Sequence, residues 1–236
     1  MERRVIILFF ALINSVLCVA QTVRADTSYI AQAKGTAIGL YSKSIGGQSH
    51  LYNGSAYTEY VSQRDEHPYF IDEWLEGTVT YDNEYHDNVP VLYDISTDRL
   101  IVDNPFSIKK VMLVNEKVAA FTIQNHRFVH LTDTPLPAGH YEITYGGNIK
   151  VYVRHKKTLQ SRVVDYSIFN EFEERKLFYI YKDAIFFPVR GKASVYKVLG
   201  DKKKELKKFA RDNALKFGND RAGDISRLAQ YYDQLK

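Results

Sequence analysis

Residues 77–93 hold the pattern that most restricts the fold. Gly77-Thr78-Val79-Thr80-Tyr81 alternates apolar and polar side chains, Asp82-Asn83 follows, and Glu84-Tyr85-His86 leads into the apolar run Val89 to Tyr93. Alternation of period two sends successive side chains to opposite faces, and a two-residue turn whose members tolerate positive φ matches the natural twist of the strands it joins. The segment is therefore expected to form a β-hairpin. Pro90, which has no N–H to donate, places an edge or a bulge in the return strand.

The same device recurs at Tyr52-Asn53-Gly54, at Tyr145-Gly146-Gly147 before Ile149 to Val153, and at Tyr181-Lys182-Asp183 before Ile185 to Val189. Further strands are expected over Leu100 to Val102, Ile108 to Val114, Ala119 to Ile123 and Phe128 to Leu131. Their separations follow no fixed period, so they read as successive hairpins of one sheet and not as a repeat. After Val189 the period changes to that of a helix: Val195, Val198 and Leu199, then Leu206, Phe209 and Ala210, then Ile225, Leu228, Ala229, Tyr232 and Leu235. Asp201 and Asp220 are expected as amino-terminal caps, with one unbroken helix from Ser194 to Asn213 as the alternative for the middle stretch. The fold class is thus α+β, mainly β: an antiparallel meander, a sandwich or a partly closed barrel over residues 21–190, followed by two or three C-terminal helices over 191–236 packed on it.

Arg3 and Arg4 precede an apolar run, Val5 to Leu17, that is short for a membrane span, and small residues follow it. Residues 1–20 are accordingly expected to be a signal peptide, and the rest to work outside the cytoplasm, in the periplasm or at the outer-membrane periphery. Cleavage after Ala20 would remove Cys18, the one cysteine, and would leave no transmembrane segment. A formal charge of +4 is too small to imply a polyanion, so no nucleic-acid partner is expected.

Three constellations could carry chemistry. His126 and His130, near Asp133, share a strand face but stand about 13 Å apart at ordinary strand rise, too far for one metal unless the chain turns at Arg127. The stretch His67-Pro68-Tyr69-Phe70-Ile71-Asp72-Glu73-Trp74 joins carboxylates to aromatics. There Tyr69 and Trp74, with Tyr81 and Tyr85 of the hairpin, could form a ligand-stacking platform, set against the commoner role of core aromatics. The third is Lys202-Lys203-Lys204, Lys207-Lys208 and Arg211, a basic helix face that could meet anionic lipid or nucleic acid, set against the commoner role of a solvated helix face. No Gly-x-Ser-x-Gly, His-Glu-x-x-His, phosphate loop or dinucleotide fingerprint is present. No catalytic residue, metal site or cofactor is assigned.

His50-Leu51-Tyr52-Asn53-Gly54, Asn88-Val89-Pro90-Val91-Leu92-Tyr93-Asp94 and Asp201-Lys202-Lys203-Lys204-Glu205-Leu206-Lys207, in that order, resemble a group of exported, uncharacterised proteins of Bacteroidota. The resemblance covers nearly all of the chain after the leader and implies a Gram-negative envelope setting, with no functional residue to carry over. The expected function is a non-enzymatic envelope module binding a lipid, glycan or protein partner, with peripheral membrane contact through the basic C-terminal helix. The alternative is a secreted glycan or ester hydrolase built from Asp72, Glu73 and one of His67, His86, His126 or His130.

Overall fold

The structure, a computed structural model, describes residues 36, 50–58, 60, 66–104 and 110–236. The chain divides into two compact units, residues 1–46 and 47–236. In the first only Thr36 is described, as helical, so the expected signal peptide lies outside the described residues. Among its described residues the second unit carries eleven strands: β1 (Ser55–Ala56), β2 (Leu75–Tyr81), β3 (Glu84–Asp94), β4 (Arg99–Asp103), β5 (Lys110–Met112), β6 (Val118–Ile123), β7 (His126–Leu131), β8 (Gly139–Gly146), β9 (Lys150–Val164), β10 (Ser167–Lys182) and β11 (Ile185–Val189). Three helices follow, α1 (Lys192–Val198), α2 (Lys203–Asp212) and α3 (Arg221–Gln234).

All strands join one open antiparallel sheet in the order β1-β5-β4-β3-β2-β6-β7-β8-β9-β10-β11, so the class is α+β, mainly β. It is two meanders back to back, because β6 returns to pair with β2. Three of the hairpins turn on two residues that both have positive φ: Asp82-Asn83, Asp165-Tyr166 and Asp183-Ala184. Pro90 lies where β3 has lost β4 as a neighbour, and the β2–β3 register shifts between Gly77 and Val79 beside it, so the expected edge and bulge coincide. The expected hairpin at Tyr52-Asn53-Gly54 is absent. His50–Tyr52 form a short 3-10 turn, and β1 pairs with β5; a Cβ on Gly54 would collide with the Met112 carbonyl, so this glycine serves close approach and not chain reversal.

One face of the sheet is buried along most of its width. Register places Val79, Val91, Tyr93, Leu100, Phe121 and Phe128 together in a single apolar cluster. The same face continues on β9 through Val151, Val153, His155 and Lys157. The sheet curls, because Lys157 N donates to Ile95 O (3.2 Å) although four strands separate β9 from β3. Segment 66–74 runs along this seam: Ile95 N donates to Pro68 O (3.0 Å), and Phe70 N to Tyr93 O (2.8 Å).

The helices cover the other end of the same face. Ile225, Leu228, Ala229 and Tyr232 of α3, with Leu199 and Leu206, pack on Ile149, Val151, Val153 and Ile180. Asp220 caps α3, its carboxylate accepting from Gly223 N at 3.0 Å. Asp201 does not cap α2 as expected. Its carboxylate instead accepts from Tyr232 Oη (3.1 Å) and Lys182 Nζ (3.4 Å), and a 3-10 turn over Gly200–Lys202 breaks the alternative continuous helix.

Candidate functional site

Where the helix cover ends, β7, β8 and β9 each send a titratable side chain into the curl. Glu142 lies between two imidazoles: His126 Nδ1 is 2.6 Å from Oε1, and His155 Nε2 is 2.7 Å from Oε2. An ionised carboxylate only accepts, so both histidines donate to it. Glu142 and His155 are almost wholly buried, while His126 reaches solvent. Burial alone would raise the Glu142 carboxyl, but hydrogen bonds from His155 and His126 outweigh it and hold it below its ordinary value. Phe70 lies edge-on to both rings, with centroids 4.9 Å from His126 and 4.8 Å from His155. The arrangement is a proton-sharing carboxylate closed over by an aromatic ring; His155 Nδ1 is buried without a hydrogen-bond partner among the described residues.

A second pair lies nearby, a buried His140 against a half-buried Asp98. Asp98, in the β3–β4 turn, accepts from Tyr93 Oη (2.7 Å) and from His140 N (3.2 Å), and lies 3.1 Å from His140 Nδ1. Burial opposes its charge, yet the His140 and Tyr93 hydrogen bonds bring its carboxyl below the ordinary value. Tyr93 is correspondingly raised, by burial first and then by Asp98. A side chain on Gly139 would strike the Asp98 carboxylate, and its φ of 148° suits glycine, so two constraints converge there.

The histidine constellation of the sequence separates. β7 runs unbroken from His126 to Leu131, so no turn at Arg127 brings His126 to His130. His126 joins Glu142, whereas His130 stacks on His140 at 4.8 Å. Among the described residues no group of three or more His, Cys, Asp or Glu side chains is arranged to hold a metal ion. Glu142 to histidine distances of 2.6–2.7 Å are those of direct hydrogen bonds.

The four aromatics named as a platform are not gathered. Tyr81 is sealed in the core, its Oη donating to Asn53 O at 3.3 Å. Tyr69 packs with Leu92, Ile101, Tyr57 and Trp74 in a separate small cluster, and Lys110 Nζ stands 4.9 Å from the Trp74 ring. Tyr85 is exposed on the face opposite Tyr81. Asp72 and Glu73 are both exposed, and the carboxylates that meet histidines inside the curl are Glu142 and Asp98.

A concave surface lies instead among the helices. Tyr196, Ala210 and Leu215 form the floor of an open cleft of about 550 Å³ rimmed by Lys192, Lys207, Arg211 and Lys216. Residues 191–236 carry twelve Lys and Arg against six Asp and Glu, whereas the whole chain is only +4. Positive charge is thus concentrated on the segment that forms the cleft. Comparison of the chain with protein-family models, with curated proteins and with solved structures finds no match.

Proposed function

We propose that this chain is an exported, non-enzymatic binding protein of the cell envelope that attaches to anionic lipid through the cleft between α1 and α2. One observation carries the reading: four cationic side chains surround an apolar floor, and this pairing fits a headgroup phosphate with the first methylenes of its acyl chains. Lys203, Lys204 and Lys208 extend the same charge along α2. No helix among the described residues is long and apolar enough to cross a membrane, and in this reading attachment through the cleft is peripheral. The basic-apolar leader supports export.

The hydrolase alternative draws its support from His126, Glu142 and His155, where acid and base groups meet by hydrogen bonds under partial exposure. Phe70 stands against it, because its ring lies edge-on to both imidazoles and His155 beside it is almost wholly buried.

Co-sedimentation with vesicles tests the proposal. Binding is expected to vesicles containing phosphatidylglycerol, to fall as salt rises, and to drop at least about tenfold for the double variant Lys207→Glu, Arg211→Glu, at about 1 kcal/mol per basic residue near an anionic surface. Equal binding to neutral phosphatidylcholine, or binding untouched by the charge reversal, would overturn it.

A further inference from the structure

β9 and β10 outrun the sheet. β8 covers β9 only as far as Val153, and β11 covers β10 only from Phe178 onward. The remainder is a two-stranded arm whose end carries Val163 at 72 %, Ile168 at 66 % and Tyr166 fully exposed. A lone two-stranded ribbon has little stability by itself, and an apolar, uncovered strand edge is a template for another strand.

The hydrogen-bond phase of the arm follows from its turn. The pair flanking a two-residue turn, Val164 and Ser167, is hydrogen-bonded across the ribbon, and bonded pairs then alternate. Leu159, Ser161 and Val163 therefore aim their backbone groups away from β10. Two contacts fit this phase: Lys157 N, two residues before Leu159, points outward to Ile95 O, and Phe172 N, opposite Leu159, points outward to Glu66 Oε2 at 2.7 Å. Backbone contact of β9 with the seam thus ends at Lys157, although Tyr60 and Glu66 still reach Phe172 on β10, and from Thr158 to Val164 the outer edge of β9 has no strand partner among the described residues.

We infer that this edge is where a second copy of the chain pairs, antiparallel and two-fold, about Ser161. Only an odd-numbered residue of this stretch faces outward, so bonded pairs between copies must join Leu159, Ser161 and Val163 to one another. Centring the axis on Ser161 satisfies all three in each copy, Leu159 against Val163 and Ser161 against its own equivalent. A shift of the axis to Gln160 or Arg162 strands one residue per copy. The pairing also fits in length: the turn of one arm arrives where the seam of the other begins. Charge agrees, because Asp165 of one copy falls beside the exposed Lys156 of the other, and no like charges oppose between 158 and 164. The β10 edge is less suited, since Glu66 already occupies Phe172 N and Glu171, Glu173 and Glu174 crowd it. Pairing would create a four-stranded ribbon with Leu159, Val163 and Ile168 of both copies on one face.

The test is the mass of the full chain in solution with Cys18→Ser as the background. A species of twice 27.3 kDa is expected. Ser161→Pro removes an outward N–H and leaves the β9–β10 ladder intact, so it should weaken dimerisation at least about tenfold; Asn170→Pro, the matching change on β10, should not. Ser161→Cys provides a second readout that does not depend on a proline, because bonded antiparallel pairs stand about 5.5 Å apart at Cα, within disulfide reach. It should give a disulfide-linked dimer in air, and Asn170→Cys should not. A monomer up to about 100 μM, a dimer indifferent to Ser161→Pro, or cross-linking through position 170 in place of 161 would overturn the inference.

Discussion

Two ends of one sheet face are closed by different chemistry. On β9, Val151 and Val153 meet the helices, and two and four residues further along the same face His155 and Lys157 meet segment 66–74. The helix end is a mainly apolar contact in which each buried Val, Leu or Ile is worth roughly 1.5–3 kcal/mol, with polar contacts at its margin, where Asp233 accepts from Tyr145 Oη (2.9 Å) and Ser226 Oγ donates to Thr144 Oγ1 (2.8 Å). The seam end holds a carboxylate between two imidazoles and a lysine whose Nζ donates to His67 O at 2.9 Å. Buried polar groups of this sort add little net stability over apolar packing, yet removing one partner is costly. The difference teaches that the helices hold the sheet, whereas the seam sets where segment 66–74 docks on it.

The contrast can be broken from either end. The largest effect is expected from Leu228→Ala in α3, which opens a cavity at a wholly buried position and should cost about 2–5 kcal/mol in denaturant unfolding. A loss below about 1 kcal/mol would mean that the helix cover is not the main support. Glu142→Gln should cost less, about 1–3 kcal/mol, and should change the pH dependence. The folded Glu142 carboxyl is lowered, so its contribution is fully present above the ordinary glutamate value of about 4.3 and is lost as pH falls through the folded value. Glu142→Gln should therefore flatten the acid limb of the stability curve and leave Leu228→Ala parallel to the wild type. Asp98, also lowered, keeps part of the acid sensitivity in both.

Much of the fold was legible because its signals are local. The Asp82-Asn83 turn, the alternation on β2 and the helical period of Ile225 to Tyr232 each depend on residues a few positions apart. The return of β6 to β2 was not, since it joins Phe121 to Val79 across forty-two positions. The arm was missed because Arg154 to Lys157 and Glu173 to Lys176 interrupt the apolar alternation that marks a half-buried strand. The polar cluster was half visible. His126 stood out, but its partners Glu142 and His155 sit on other strands, and Glu142 lies between Tyr141 and Ile143, the side chains that simple alternation would send inward. In fact β8 is buried on both faces at this point. An acidic residue inside an otherwise apolar strand was the signal available.

The claim that Glu142 ties two histidines together at the seam is tested most directly by nitrogen-15 NMR of the imidazoles at roughly pH 9, well above the ordinary histidine value of 6.5. The geometry predicts opposite tautomers, the proton on Nδ1 in His126 and on Nε2 in His155, with the His126 preference lost in Glu142→Gln. The Nε2 tautomer at His126 in the wild type, or a spectrum indifferent to Glu142→Gln, would contradict it.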